Sequence, residues 1–465
     1  MGISSLGVGS SILTQDVLDQ LREADEAGQI RPIDLELANE DDKKDALDII
    51  DATMTNFIDS INAIKSKSLY DERKTDIKGE SVSVVADANS DIQDFTLDVT
   101  TLATKQIEES GAFDDKDALI ATDAGTMTLS IDGEDFDIAY DDTTTLKDLK
   151  QLINEEAGDK VDATIVQISS GEFRLFISSV ETGASQDITI TDNDGNLSDD
   201  GGESAGGTKL TDDLSAIQEG VDAEFTFNGE DITRSSNKID DLIEGLTVTL
   251  EETGKSEVSV TQNRENILEK IDSFVEKYNS AINELNRMTK PSIESSEKGI
   301  FSGESTIKNM KRSIEDMFAE VGGGVGTMGD YGFDIDKDGK MSIDKTVFEK
   351  ALDDNSKNVE AFFAGGEFEN DDGSTTEVDG VFAEMATTVE EYTKYNATLD
   401  LFTTSIKDNI SALQERKESA VERLDSKYAI LKKQFAAYDL MISRFNSASS
   451  MFSQMIDAQN AANNN

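Results

Sequence analysis

The chain has no cysteine, no histidine and no tryptophan, and only two prolines in 465 residues. Without cysteine there are no disulfides, thiol nucleophiles or cysteine–zinc sites. Without histidine the commonest general base is gone, and with it triads built on imidazole and most transition-metal sites. Long apolar runs are missing too: none approaches the ~18 residues that span a bilayer. The opening stretch, MGISSLGVGSSILTQDVLDQL, has neither a basic n-region nor an apolar h-region, so it does not read as a Sec-type signal peptide. The expectation is no membrane insertion, and either a cytoplasmic protein or one exported without such a peptide. Basic side chains are scarce, 42 against 97 acidic, for a net charge of −55. That argues against nucleic acid or an anionic membrane surface as a partner. Carboxylates in such number form a solvated surface rather than a catalytic pair, and no enzyme chemistry and no cofactor are expected.

What is present begins with helical periodicity at both ends. From Val381 to Asn465 there is no Gly and no Pro. Val421, Leu424, Tyr428, Leu431, Phe435, Tyr438, Ile442, Phe445, Phe452 and Ile456 recur at steps of three and four, broken by Ser449. This is a heptad seam. A helix over 403–462 would be roughly 90 Å long, more than a globular core can cover alone. Leu47, Ile50, Met54, Phe57, Ile61 and Ile64 repeat the spacing, as do Ile267, Ile271, Phe274, Tyr278, Ala281, Leu285 and Met288. Two readings fit: a bundle inside one chain, or seams that also pack between subunits.

Residues 80–265 alternate in the strand pattern, as in DFTLDVTTLA, FRLFIS and GLTVTLEE. TLSIDGEDFDI (128–138) and EFTFNGEDITR (224–234) each set Asp-Gly or Asn-Gly between alternating apolar residues, a strong hairpin signal. Each precedes an amphipathic helix pattern, TTLKDLKQLIN and NKIDDLIEGL. DNDGNLSDDGGESAGGTK reads as a long exposed loop. The stretch 80–265 holds 44 acidic and 11 basic residues, whereas 403–465 holds 7 and 8. An acidic β-rich body suits solvent, and a balanced, apolar-striped helix suits packing against copies of itself.

Two motifs imitate binding sites. Asp334, Asp336, Asp338 and Gly339 follow the first half of an EF-hand loop, and Ser342 is permissible there. The last loop position needs a bidentate Glu and is Lys345. A hairpin turning at Asp338-Gly339, with Asp344 capping a following helix, accounts for every residue. Gly324, Gly326 and Gly329 satisfy G-x-G-x-x-G, but the fingerprint needs a helix directly after, and here the hairpin follows. No metal site is expected.

FNGEDITRSSNKIDDLIEGLTVTL resembles the hallmark of the flagellar filament cap protein family, also called flagellar hook-associated protein 2. Arg234, Asn237, Ile239, Gly245 and Leu250 stand at the matching places. FVEKYNSAINELN, GIFSGESTIKNMKRSI, YGFDIDKDGKMSIDKTVFEKAL and VEAFF follow in the family's order, which makes Asp338 and Gly339 part of a family turn. TTLKDLKQLIN with RLFISSVETG is similar to a module inserted in flagellins. The N-terminus departs from the family at EAGQIRPIDLEL.

The resemblance implies an α+β fold: long N- and C-terminal helices forming a coiled-coil-like stalk, with two β-rich head domains inserted between them. The implied divisions are a terminal segment 1–40, a stalk helix 41–79, and one head domain from 80–110 and 208–265. An outer domain 111–207, a helical stalk domain 266–402 with a hairpin, and a coiled-coil helix 403–465 complete it. The implied role is a structural cap, secreted by flagellar type III export to the distal filament tip, promoting flagellin insertion and preventing its loss. Implied partners are copies of itself in a ring, roughly pentamer to hexamer, flagellin, hook–filament junction proteins and an export chaperone. The stalk seam for these contacts would be Leu47, Ile50, Met54, Phe57, Ile61, Leu424, Tyr428, Leu431, Phe435, Tyr438, Ile442 and Phe445. An extracellular adhesin, or another axial component such as a flagellin or junction protein, is the alternative.

Overall fold

The computed structural model describes residues 14–198, 209–292, 294, 297–318 and 325–463. The chain forms two units. One is the contiguous stretch Ser68–Glu265, and the other is built from the described residues on both flanks, up to Lys67 and from Asn266 onward. Described helices, in chain order, are α1 (Gln15–Gln29), α2 (Arg31–Ile64), α3 (Lys67–Asp71), α4 (Leu146–Glu156) and α5 (Arg264–Thr289). They continue with α6 (Ser305–Asp316), α7 (Lys345–Ala364), α8 (Val381–Thr393) and α9 (Thr398–Asn463).

In the flanking unit, the three-four spacing of α2 becomes one buried stripe. Leu47, Ile50, Met54, Phe57, Ile61 and Ile64 are at most 1% exposed. The stripe of α5 meets it: the Phe57 ring lies 5.8 Å from Phe274 and 5.9 Å from Tyr278. Phe274 in turn stands edge-on to Phe382 of α8 at 4.8 Å. α2 and α5 thus form a bundle within one chain, and truncating such a buried ring costs about 3–5 kcal/mol. α9 runs antiparallel to α2: Asn409 meets Glu40, Arg416 meets Glu36 and Lys417 meets Asp34.

The Asp-rich hairpin pairs Phe333–Ile335 with Met341–Ile343. Its loop has three residues, 337–339, where two were expected. The Asp336 N–H donates to the Lys340 carbonyl at 3.0 Å, and the Gly339 N–H to the Asp336 carbonyl at 2.9 Å. The Asp336 carboxylate accepts from the N–H groups of Asp338 and Lys340, both at 2.9 Å. That shapes a turn ending in left-handed Gly339 (φ +81°). Asp344 caps α7 through Thr346 N–H. A second hairpin, Gly366–Glu369 with Thr375–Val378, turns at Asp372-Gly373, with Gly373 left-handed at φ +78°, an Asp-Gly signal left unused in the sequence reading.

The unit Ser68–Glu265 holds two cores. The first lies between a five-stranded and a three-stranded sheet. The larger runs Arg73–Lys78, Gly254–Gln262, Gln93–Thr101, Ala223–Phe227, Glu230–Arg234, and the smaller Lys238–Ile239, Leu246–Leu250, Val82–Ala86. Phe95, Leu97, Phe225, Val248 and Val260 fill it. The second core belongs to a module inserted between the strands of the first. It has α4, a four-stranded sheet (Ser215–Gln218, Ile107–Glu109, Glu172–Ser179, Val161–Ser169) and a three-stranded one (Glu134–Tyr140, Gly125–Ile131, Thr189–Asp192). Leu129, Ile138, Leu149, Ile153 and Leu175 are wholly buried there.

Both expected hairpins form, with both central residues left-handed: Asp132 and Gly133 at φ +53° and +76°, Asn228 and Gly229 at +50° and +92°. The helix after the first is α4, with a capping box between Thr145 and Asp148. The helix expected after the second is absent. Lys238–Ile239 instead pairs with Val248 and Thr249 as a strand. The chain is held at Asn237, whose amide bonds Ala103, and reverses at Gly245 (φ +76°). Residues 240–243 lie between two fixed points and form bends. Of the acidic loop, residues 199–208 lie outside the described residues, as does Gly324 of the glycine motif. Gly326 precedes, and Gly329 lies within, a single 3₁₀ turn (Met328–Tyr331), which is followed by the strand at Phe333 and not by an α-helix.

Candidate interaction surface

α9 has 66 residues and is about 100 Å long. Its surroundings change along that length. Leu424 and Tyr428 are buried against Leu18 of α1, with Ile30, Leu431 and Phe435 partly covered around them. Ionic contacts flank this patch. The Lys427 ammonium donates to Asp25 at 2.6 Å, the Tyr428 hydroxyl to the same carboxylate oxygen at 2.7 Å, and Arg22 to Asp425 at 2.6 Å. Lys427, and then Tyr428, hold the Asp25 carboxyl below its ordinary range. Burial, and then Asp25, push the Tyr428 hydroxyl up to about 12.

Beyond Phe435 the apolar seam positions are exposed, although Asp439 among them is buried. Tyr438 is 55% exposed, Ile442 36% and Phe445 73%. Met441, Met451, Phe452, Met455 and Ile456 are more than half exposed as well. Scattered apolar residues on a surface need no explanation, but a contiguous apolar stripe marks an interaction site.

The structure therefore divides the expected seam. Leu47, Ile50, Met54, Phe57 and Ile61 are interior positions covered by the chain's own helices, so they are not available to a partner. Leu424 and Tyr428 are covered by α1, and Leu431 and Phe435 in part. Tyr438, Ile442 and Phe445 are the positions of that set open to a partner. Sequence reading missed α1 as the cover. It offers one buried apolar residue, Leu18, and the signal lay in charge: Arg22 and Asp25 complement Asp425 and Lys427.

The motif residues make local contacts. Arg234 donates to Asp241 at 3.0 Å and to the Thr233 carbonyl at 2.9 Å. Asn237 gives and takes one bond, both 2.8 Å, with the backbone of Ala103. A Cβ on Gly245 would stand 3.0 Å from that of Ser90, and one on Gly339 2.9 Å from the Glu315 carboxylate. In the EF-hand mimic, Asp336 is committed to its own turn, and Lys345 pairs with Asp272. Among the described residues no group of three or more acidic side chains is arranged to hold a metal ion. None of the described helices is long and apolar enough to cross a membrane.

Two models of one family match the chain. Flagellar hook-associated protein 2 C-terminus covers residues 220–447, and flagellar hook-associated protein 2 N-terminus covers 10–106. Among curated relatives, the flagellar hook-associated protein 2 of Campylobacter jejuni is 28% identical over 417 residues, covering 78% of this chain and 64% of its own. That of Helicobacter pylori J99 is 30% identical over 256 residues, covering 53% and 37%. The chain thus spans less than two thirds of either relative's length. A crystal structure of the D1-D2-D3 domains of the flagellar cap protein FliD from Escherichia coli shares the fold: TM-score 0.59, 22% identity, 78% of this chain and 99% of that one.

Proposed function

The chain belongs to the flagellar hook-associated protein 2 family, and on that premise we propose that it is a structural cap at the distal tip of the bacterial flagellar filament. It works there as an oligomer of its own copies, promoting flagellin insertion and preventing flagellin loss. The role is one of assembly, steric and conformational, and not of catalysis. The observation that carries it is the exposed apolar stripe in the second half of α9. A helix anchored in a chain's own core at one end and presenting such a stripe at the other is suited to contacts with other molecules. The proposed contact residues are Tyr438, Ile442 and Phe445, joined by Phe452 and Ile456, and they face neighbouring copies and flagellin. Hook–filament junction proteins and an export chaperone are further proposed partners. The β-rich unit Ser68–Glu265, with its excess of acid, faces solvent.

Immunogold electron microscopy of flagellated cells, with antibody to residues 80–265, tests the place. Gold at the far end of each filament is expected. Gold at the hook, along the shaft, or off the flagella altogether would defeat the cap reading. The double substitution Ile442→Asp and Phe445→Asp tests the surface. Both positions are exposed, so the melting temperature should hold while oligomers disappear from sedimentation profiles and filaments shorten.

A further inference from the structure

In the unit Ser68–Glu265 the chain crosses between the two cores at 103–106 and at 219–222, and the loop 180–187 of the inserted module lies against both crossings. The joint is closed by polar bonds. Gly183 N–H donates to the Thr104 carbonyl at 3.0 Å, Gly220 N–H to Gln106 Oε1 at 2.6 Å, and Ala184 N–H to Asp222 Oδ1 at 2.8 Å. The approach is close: a Cβ on Gly220 would stand 2.5 Å from the Gly183 carbonyl. Glu108 sits within this joint, only 5% exposed. Its carboxylate accepts from Gln106 Nε2 at 2.5 Å. The charged groups that act on it are Asp187, from the loop 180–187, and Glu219, from the crossing 219–222, both acids.

A buried carboxylate whose donor is a neutral amide, and on which the exposed acids Asp187 and Glu219 act repulsively, is poorly compensated. A neutral carboxyl in the same place loses the repulsion and can keep the contact with Gln106. We infer that Glu108 is a proton-sensitive latch between the two modules, closing the joint when protonated and loosening it when ionised. Burial raises its pKa most, and Asp187 and Glu219 add to this, while the bond from Gln106 works the other way. A group raised in the folded state binds more protons there than in the unfolded chain, so its contribution to stability falls as pH rises. The joint is tightest below the ordinary glutamate pKa and loosens as pH climbs through the raised value.

Amide hydrogen exchange of the full chain, followed from pH about 4.5 to 8 and corrected for intrinsic rates, tests this. Peptides holding Gly183, Ala184 and Gly220 should lose protection as pH rises, while the hairpin 125–140 serves as an internal control. Glu108→Gln should keep acid-like protection at neutral pH and flatten the profile, and Glu219→Gln should raise protection at neutral pH in part. A wild-type profile flat with pH would overturn the latch. So would faster joint exchange in Glu108→Gln, or an unaltered pH profile in it. Should Glu108→Gln fail to fold, Glu219→Gln decides alone: no gain in protection sinks the idea.

Discussion

Asn154, Asn237, Asn279 and Asn358 do one job in four places. Each side-chain amide accepts from the N–H and donates to the carbonyl of a single residue: Ala163, Ala103, Met341 and Glu369 respectively, at 2.7 to 3.0 Å. The pairing imitates a strand neighbour. Aspartate has the size but cannot donate when ionised. Asn237→Asp and Asn279→Asp should therefore each cost about 1–3 kcal/mol, read as a lowered urea midpoint with an unchanged slope. Tyr278 presents the opposite case. It is wholly buried, and its hydroxyl has no partner among the described residues. Burial, and then Glu315 and Asp336, raise its pKa above the ordinary tyrosine value. Tyr278→Phe removes a stranded polar group without opening a cavity, so the melting temperature should rise. Asn237 stood out in the sequence as a motif position and Tyr278 as part of a buried stripe, but neither the bridging amide nor the stranded hydroxyl was legible, because both depend on which backbone groups the fold brings alongside.

Helices with strong periodicity were legible, because a stripe at three-four spacing has to be buried somewhere. α2 and α5 show that, but spacing alone could not say whether the cover came from the same chain. α1 was less legible, since its docking on α9 is mostly ionic. NKIDDLIEGL misled for the reverse reason: its local pattern suits a helix, and tertiary bonds at Asn237 and Gly245 override it. The α1–α9 contact has a pH signature of its own. Asp25 is lowered in the folded state, so its contribution is complete above the ordinary aspartate pKa and is lost as pH falls through the lowered value. Exchange protection of residues 15–29 should drop in that acid range before the α2–α5 core opens. Asp25→Asn should remove the dependence.

At the scale of the molecule, the acid excess of 44 over 11 within 80–265 opposes compaction by self-repulsion. Salt shortens that repulsion, with a screening length of about 10 Å at 0.1 M and about 3 Å at 1 M. The melting temperature should rise with sodium chloride over this range, most steeply at the low end; a flat or falling trend would mean that the charges are already compensated. The broad division into helical ends and a β-rich middle was readable because hydrophobic period and charge change together along the chain.

That division also orders events in time. The residues of Ser68–Glu265 are contiguous, so this part can close on itself as soon as its last strand, Gly254–Gln262, exists. The other unit cannot. Phe57 must wait for Phe274 and Phe382, which arrive only after the whole middle has been made or delivered. Closing so long a loop adds little to the equilibrium cost, but it slows the search. A chain threaded from its N-terminus would meet the world first as a loose helical lead, then as a finished β body, and would acquire its second core only when its tail came free.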